Sequence, residues 1–223
     1  MTEEYPPYNY HNSSGELTGL SVELLIAILA NMGSPISKKE ILVIPWARAY
    51  KDTLHNPHAA IFTMTKSNYR EPLFQFSSPI LTSKISVITL KTATRLNSVA
   101  QMNTLNVGVV RNDIGEQLLV KHGLNNTTTV KLPTSLEVIK MLLLKRIDVV
   151  AIDENIAKFE FNRLGKSEND LTVHFTLEEL TTHYAFNKKV DTKFVRDFSQ
   201  SFEQLKTDGQ FTAILENYRI LTD

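Results

Sequence analysis

Three hydroxyl side chains and one guanidinium follow a short apolar strand in the segment AIFTMTKSNYREPLFQFSSPI, residues 60–80. Thr63, Thr65 and Ser67 can donate hydrogen bonds, and Arg70 can hold a carboxylate through two parallel N–H···O bonds. Strand ends of α/β sheets open onto ligand crevices, so the layout suits capture of an anion. A plain ion pair of Arg70 with Glu71 or another surface acid is the competing reading, and the segment by itself leaves both open.

Other chemistries find less support. His55 and His58 flank Asn-Pro without a third ligand at useful spacing, and His11, His122, His174 and His183 are scattered, so no metal site is expected. The chain has no cysteine, which excludes disulfides, thiolate metal sites and cysteine nucleophiles and fits either redox compartment. There is no nucleophile elbow, phosphate-binding loop or dinucleotide fingerprint, and no cofactor is expected. The 24 basic and 24 acidic residues cancel, which removes the electrostatic footprint of a nucleic-acid binder. No apolar run approaches the roughly 20 residues of a membrane-spanning helix. Asn125 and Asn126 begin glycosylation-type sequons, which mean little if the source is bacterial. The opening TEEYPPYNY offers no strand before its Pro-Pro turn, and the expectation is that a preceding segment is missing.

The elements that would position these groups alternate. Tyr5–Tyr10 reads as extended around Pro6-Pro7, Ser21–Met32 as a helix capped by Ser21 and stopped by Gly33, and Ile41–Ile44 as a strand. Ala47–Leu54 then reads as helix and Ala60–Thr63 as strand, with Glu23 suited to the first-turn dipole of the first helix. The rhythm repeats: strand Asn106–Val110, helix Ile114–His122, strand Thr128–Lys131, helix Ser135–Lys145, buried strand Arg146–Asp153 and helix Glu154–Leu164. Lys84–Lys91 and His183–Lys188 read as extended connectors, and Lys193–Lys206 and Gln210–Tyr218 as closing helices. Strands alternating with helices point to parallel sheets in an α/β fold of 223 residues, long enough for one or two domains.

The order of seven blocks carries a resemblance: YPPYNY with GELTGLSVELLIAIL, PWARAY, MTKSNYREPLFQFSSPI, LNVGVVRNDIGEQLL, LLLKRIDVVAIDE and LKTDGQFTAIL. In this order they resemble the family-3 extracellular solute-binding proteins, periplasmic binding proteins of type II topology that serve amino-acid ABC importers. The likeness runs over nearly the whole chain, with PWARAY and YREPLF resembling a subgroup whose ligands are less uniform. The resemblance implies two α/β lobes, each a mixed sheet flanked by helices, with residues 1–88 and 184–223 in the first and 89–183 in the second. Lys84–Lys91 and His183–Lys188 would be the hinge strands, and the ligand would sit in the interlobe cleft. It further implies a periplasmic, monomeric receptor without turnover, whose partners are a small polar ligand and an ABC permease. A sensor module of a signalling protein and, remotely, a dehydratase-type enzyme share the fold.

Carried over residue by residue, Tyr5 and Trp46 match the aromatics that sandwich the ligand, with Tyr8 beside them, although Trp46 also suits plain core packing. Thr65 keeps the family spacing to Arg70, which would bind the ligand carboxylate, and Thr63 falls where a backbone carbonyl takes the ligand amine. From the second lobe, Asn112, Asp113 and Ile114 form the strand-to-helix turn whose N–H groups face the carboxylate. Asp113 departs from the neutral threonine-type residue usual there; it either faces the cleft or caps the following helix. Asp153 matches the acid that receives a ligand ammonium, and would otherwise be a helix cap.

Overall fold

The computed structural model describes residues 1–91, 95–125 and 128–218, so Asn126 lies outside the described residues. Its elements run β1 (Tyr10–His11), β2 (Leu17–Thr18), α1 (Leu20–Asn31), α2 (Trp46–His55), β3 (Ala60–Thr65), β4 (Phe74–Phe76) and β5 (Leu81–Leu90). They continue as β6 (Val107–Val110), α3 (Ile114–Lys121), β7 (Val130–Leu132), α4 (Ser135–Leu143), β8 (Val149–Asp153) and α5 (Glu154–Arg163). The last are β9 (Leu171–Asn187), α6 (Thr192–Thr207) and α7 (Gln210–Glu216). The chain divides into two compact units, residues 1–82 with 181–223 and residues 83–180. It therefore crosses between them twice, inside β5 and inside β9.

In the first unit β3 pairs antiparallel with β9, Ala60 opposite Phe186 and Thr65 opposite Thr182, and β4 pairs with the same strand. Under this sheet Trp46, Ala49, Ile61, Met64, Phe74 and Ala185 form one buried cluster. A second apolar layer comes from α6, where Phe198 and Phe202 meet the buried Tyr184 ring edge-on at 5.1 and 6.4 Å. These apolar residues recur at helical spacing on α6, which gives it the one-sided face a surface helix needs.

Several expectations are corrected in this unit. Tyr5–Asn9 is a tight turn rather than an extended piece, closed by Tyr5 N–H donating to the Asn9 carbonyl at 2.7 Å, with a cis Pro6-Pro7 bond inside it. Helix α1 is capped by Gly19, not Ser21, because Gly19 at φ 122° brings its backbone so close to Tyr8 that any Cβ would lie 2.3 Å from the Tyr8 carbonyl oxygen. Glu23 does stand in the first turn of α1, as expected, and its carboxylate also accepts from the Tyr218 hydroxyl, which meets Thr18 and the Gly19 N–H. That contact and desolvation together push the Tyr218 phenol up to about 12, desolvation being the larger cause. Ile41–Ile44 shrinks to a single parallel bridge from Val43 to Thr2, so the opening residues do pair.

In the second unit β6 lies between β7 and β8, parallel to both, and β5 runs antiparallel to β8. The sheet is mixed, as the family resemblance implied, and not the parallel one that the alternation of strands and helices suggested. Ile85, Val87, Val107, Val109, Val149 and Ala151 supply its buried residues, against Ile114, Leu118 and Leu119 of α3. Gly115 lets that helix close onto β8: a Cβ there would sit 2.2 Å from the Ala151 carbonyl oxygen.

Candidate functional site

Within the first unit the expected residues fall into two joined groups. Arg70 follows β3 in a turn started by Ser67 and is fully buried. Its Nη1 donates to the Thr65 carbonyl at 3.2 Å, and its guanidinium carbon lies 5.0 Å from the Trp46 ring centroid and 5.7 Å from that of Tyr50. Trp46 and Tyr50 stand one turn apart on α2, so a single helix face supplies both rings. A guanidinium against aromatic faces is attracted by the ring quadrupoles, and away from water such contacts reach about 2 kcal/mol. Trp46 thus belongs to the apolar cluster and also touches the key cation. The surface pairing with Glu71 does not form; Glu71 meets Lys66 at 2.8 Å, and that partner's hydrogen bond holds its carboxyl below the usual range.

The second group centres on Thr63. Its φ of 59° is left-handed, a conformation that a β-branched residue avoids, and the pairing register of β3 shifts there. Such strain costs on the order of 1–3 kcal/mol and collects where a site needs a particular backbone direction. The Thr63 hydroxyl donates to Asn9 Oδ1 at 2.5 Å, and Asn9 Nδ2 donates to the Glu3 carbonyl at 2.6 Å. Tyr5 and Tyr8, both buried with rings 6.0 Å apart, frame the same turn. Asn9 and Tyr50 are participants that the sequence reading omitted. For Tyr50 the signal was present in WARAY, whose helical spacing stacks two aromatics; for Asn9 there was none.

Within the second unit Asn112 also takes a left-handed φ, 60°, and its N–H donates to Glu116 Oε2 at 2.6 Å. Asn tolerates this region better than other non-glycine residues. Asp113 occupies the N-cap position of α3 and is buried, but its side chain makes no capping hydrogen bond. Ile114 is buried at the first turn. Asp153, nearly inaccessible at the end of β8, does cap: its Oδ1 accepts from Asn155 N–H at 2.8 Å and Ile156 N–H at 3.1 Å. Among the described residues no group of His, Asp and Glu has metal-binding proximity.

Two α/β units crossed twice by the chain, with a buried arginine after a strand of one and a helix-opening turn in the other, define the class of type II binding proteins. Comparison with known proteins agrees. Residues 1–220 match the family of bacterial extracellular solute-binding proteins, family 3, and the chain belongs to that family. It is 24% identical over 220 residues to a probable amino-acid ABC transporter-binding protein of Haemophilus influenzae, covering 94% of this chain and 79% of that one. Among solved structures it is similar to a histidine kinase sensor domain with similarity to periplasmic binding proteins, at a TM-score of 0.86 and 19% identity over 100% of this chain and 96% of that one. It is also similar to the arginine-, lysine-, histidine-binding protein of Geobacillus stearothermophilus, at a TM-score of 0.84 and 16% identity over 100% and 95% of the two chains. At such identities the structural likeness speaks for the fold, which is the one expected from the sequence. The family is one of binding proteins rather than enzymes.

Proposed function

We propose that the chain is the periplasmic receptor of an amino-acid ABC importer, closing its two units on one free amino acid and handing it to a permease without turnover. The observation that carries this reading is Arg70, fully buried and braced by the Thr65 carbonyl and two aromatic rings. A carboxylate matches the planar fork of a guanidinium, and rings packed against that fork hold its orientation. The strained Thr63 aims its backbone carbonyl at the ligand amine, Tyr5, Tyr8 and Trp46 line the ligand body, and the N–H groups of 112–114 complete the carboxylate site. Asp113 and Asp153 add negative charge on the other unit, which favours an amino acid with a basic side chain. The relationship to an amino-acid transporter-binding protein supports the transport reading over the sensor reading, which rests on fold likeness alone.

The test is a thermal-shift screen of free amino acids, followed by calorimetry on the best. A ligand at about 100 times its Kd adds about 2.7 kcal/mol to the native state, an easily read shift. Arg70→Ala should then cost about 2–5 kcal/mol of affinity, roughly 30-fold or more, because it removes a desolvated charge partner. Undiminished binding by that variant would remove Arg70 from the site. Equal shifts by arginine and glutamate would count against the basic preference.

A further inference from the structure

The second unit holds a cavity of about 480 Å³ lined by residues that the proposed amino-acid site does not use. Its apolar wall is Leu90, Leu96, Leu105, Leu142 and Ile147, all aliphatic. Its polar groups are Thr89, His174, Lys91, Lys145 and Asp148. Ligand pockets typically measure about 300–1,000 Å³ and combine an apolar lining with a few polar groups; this one has that size and that mixed lining, as an open depression rather than an enclosed chamber.

The polar groups are not equivalent. His174 Nδ1 accepts the Leu96 N–H at 3.1 Å, so the ring proton sits on Nε2 and is donated to Thr89 Oγ1 at 2.9 Å; Thr89 in turn donates to the Leu90 carbonyl at 2.7 Å. That relay is closed and neutral. Asp148 Oδ2 is held by the Asn106 backbone and side-chain N–H groups at 2.7 and 3.0 Å. Lys91 and Lys145 are exposed at the rim and make no ion pair among the described residues. Two lysines line the cavity against one acid, and Arg95, whose Nη2 donates to the His174 carbonyl at 3.4 Å, adds a further cation beside it.

Lys145 has a second peculiarity. Helices α1, α3 and α5 end in the same way, with the N–H groups of the two residues past the cap turning back onto the last turn, and the left-handed position is Gly33, Gly123 and Gly165 respectively. Helix α4 ends with the same two bonds, Lys145 N–H to Leu142 carbonyl and Arg146 N–H to Met141 carbonyl, both 3.0 Å, but its left-handed residue is Lys145 at φ 55°. Glycine would fit this backbone without strain, as it does at the other three ends. Lysine at this position carries a backbone strain that glycine would not, and it sets an ammonium at the rim of the cavity.

We infer that this cavity is a second binding site, separate from the amino-acid site, for a small aliphatic monoanion whose chain lies on Leu105, Leu142 and Ile147 and whose carboxylate meets Lys91 and Lys145. The aliphatic wall offers contact to a hydrocarbon chain, and the excess of cations over acids around it favours an anionic head group.

Octanoate is the probe, titrated into the methyl-labelled full chain and followed by NMR, with octan-1-ol as the uncharged match. Saturable shifts of the Leu105, Leu142 and Ile147 methyls are expected, with octan-1-ol and the double variant Lys91→Ala, Lys145→Gly each binding at least tenfold more weakly. Lys145→Gly alone should raise the melting temperature while weakening octanoate, which separates loss of the ligand from loss of the fold. No saturable shift at these methyls up to about 10 mM octanoate, roughly ten times a millimolar Kd, would overturn the inference. So would equal affinity of the double variant, or shifts confined to residues of the first unit.

Discussion

Thr63 shows how a residue can be chosen against its own preference. Its hydroxyl is satisfied by Asn9, yet its φ of 59° is one that a β-branched side chain pays about 1–2 kcal/mol or more to adopt. The two contributions separate by substitution. Thr63→Ala loses the hydroxyl and keeps the strain, whereas Thr63→Gly loses the hydroxyl and relieves it, so the glycine variant should be the more stable by about 1 kcal/mol in urea denaturation. An alanine variant as stable as the glycine one would show that residue 63 is not left-handed in solution. Nothing in the letters FTMT announces this conformation, because it follows from the register shift against β9 and from a contact with Asn9 far along the chain. By contrast, the place of Arg70 just after a strand was legible, its packing against Trp46 and Tyr50 was not, and the cap bonds of Asp153 match the alternative reading given for that residue.

At the level of elements, Gly115 decides how α3 meets the sheet. Helix propensity alone would make Gly115→Ala stabilising by up to about 1 kcal/mol. The new Cβ, however, would stand 2.2 Å from the Ala151 carbonyl oxygen, and a backbone atom cannot step aside as a side chain can. Overpacking of this kind typically costs about 1–3 kcal/mol, so the variant should melt lower than the parent. A higher melting temperature would mean that α3 stands further from β8. The long helices were legible in the sequence because their apolar spacing and terminal glycines agree, as at α1 with Gly33 and α3 with Gly123. Strand β9 was legible only from His183 onward, where every residue is buried or nearly so. Its earlier half, LTVHFTLEELTT, carries two consecutive acids and exposed positions, and its strand state comes from its neighbours in the sheet rather than from its own pattern. Strand β4 was missed; its strand state comes from pairing with β9, Phe74 opposite Asn187 and Phe76 opposite Ala185.

Across the whole molecule, each unit stores one buried neutral imidazole. His183 donates Nδ1–H to the Ser77 carbonyl at 2.8 Å and accepts from Thr181 Oγ1 at 2.7 Å, and His174 is held by Leu96 and Thr89. Desolvation is the first cause that lowers both from 6.5; the positive charges of Lys66 and Lys206 add to it at His183 and that of Arg95 at His174. A base whose proton affinity falls on folding binds more protons unfolded, so its stabilising contribution is complete above pH 6.5 and is lost as pH drops through the folded value. The melting temperature should therefore decline from neutral pH toward pH 5, and a flat or rising profile there would contradict the neutral assignments. The two units differ in another respect. Residues 83–180 are continuous, whereas β3 must wait for Phe186 and Ala185 before its edge is paired. A chain emerging N-terminus first from a ribosome or an export channel therefore carries an open strand edge through the making of the entire second unit. Such edges invite pairing with other chains. The time for which a nascent copy carries that open edge is thus set by the length of the unit inserted into its first one.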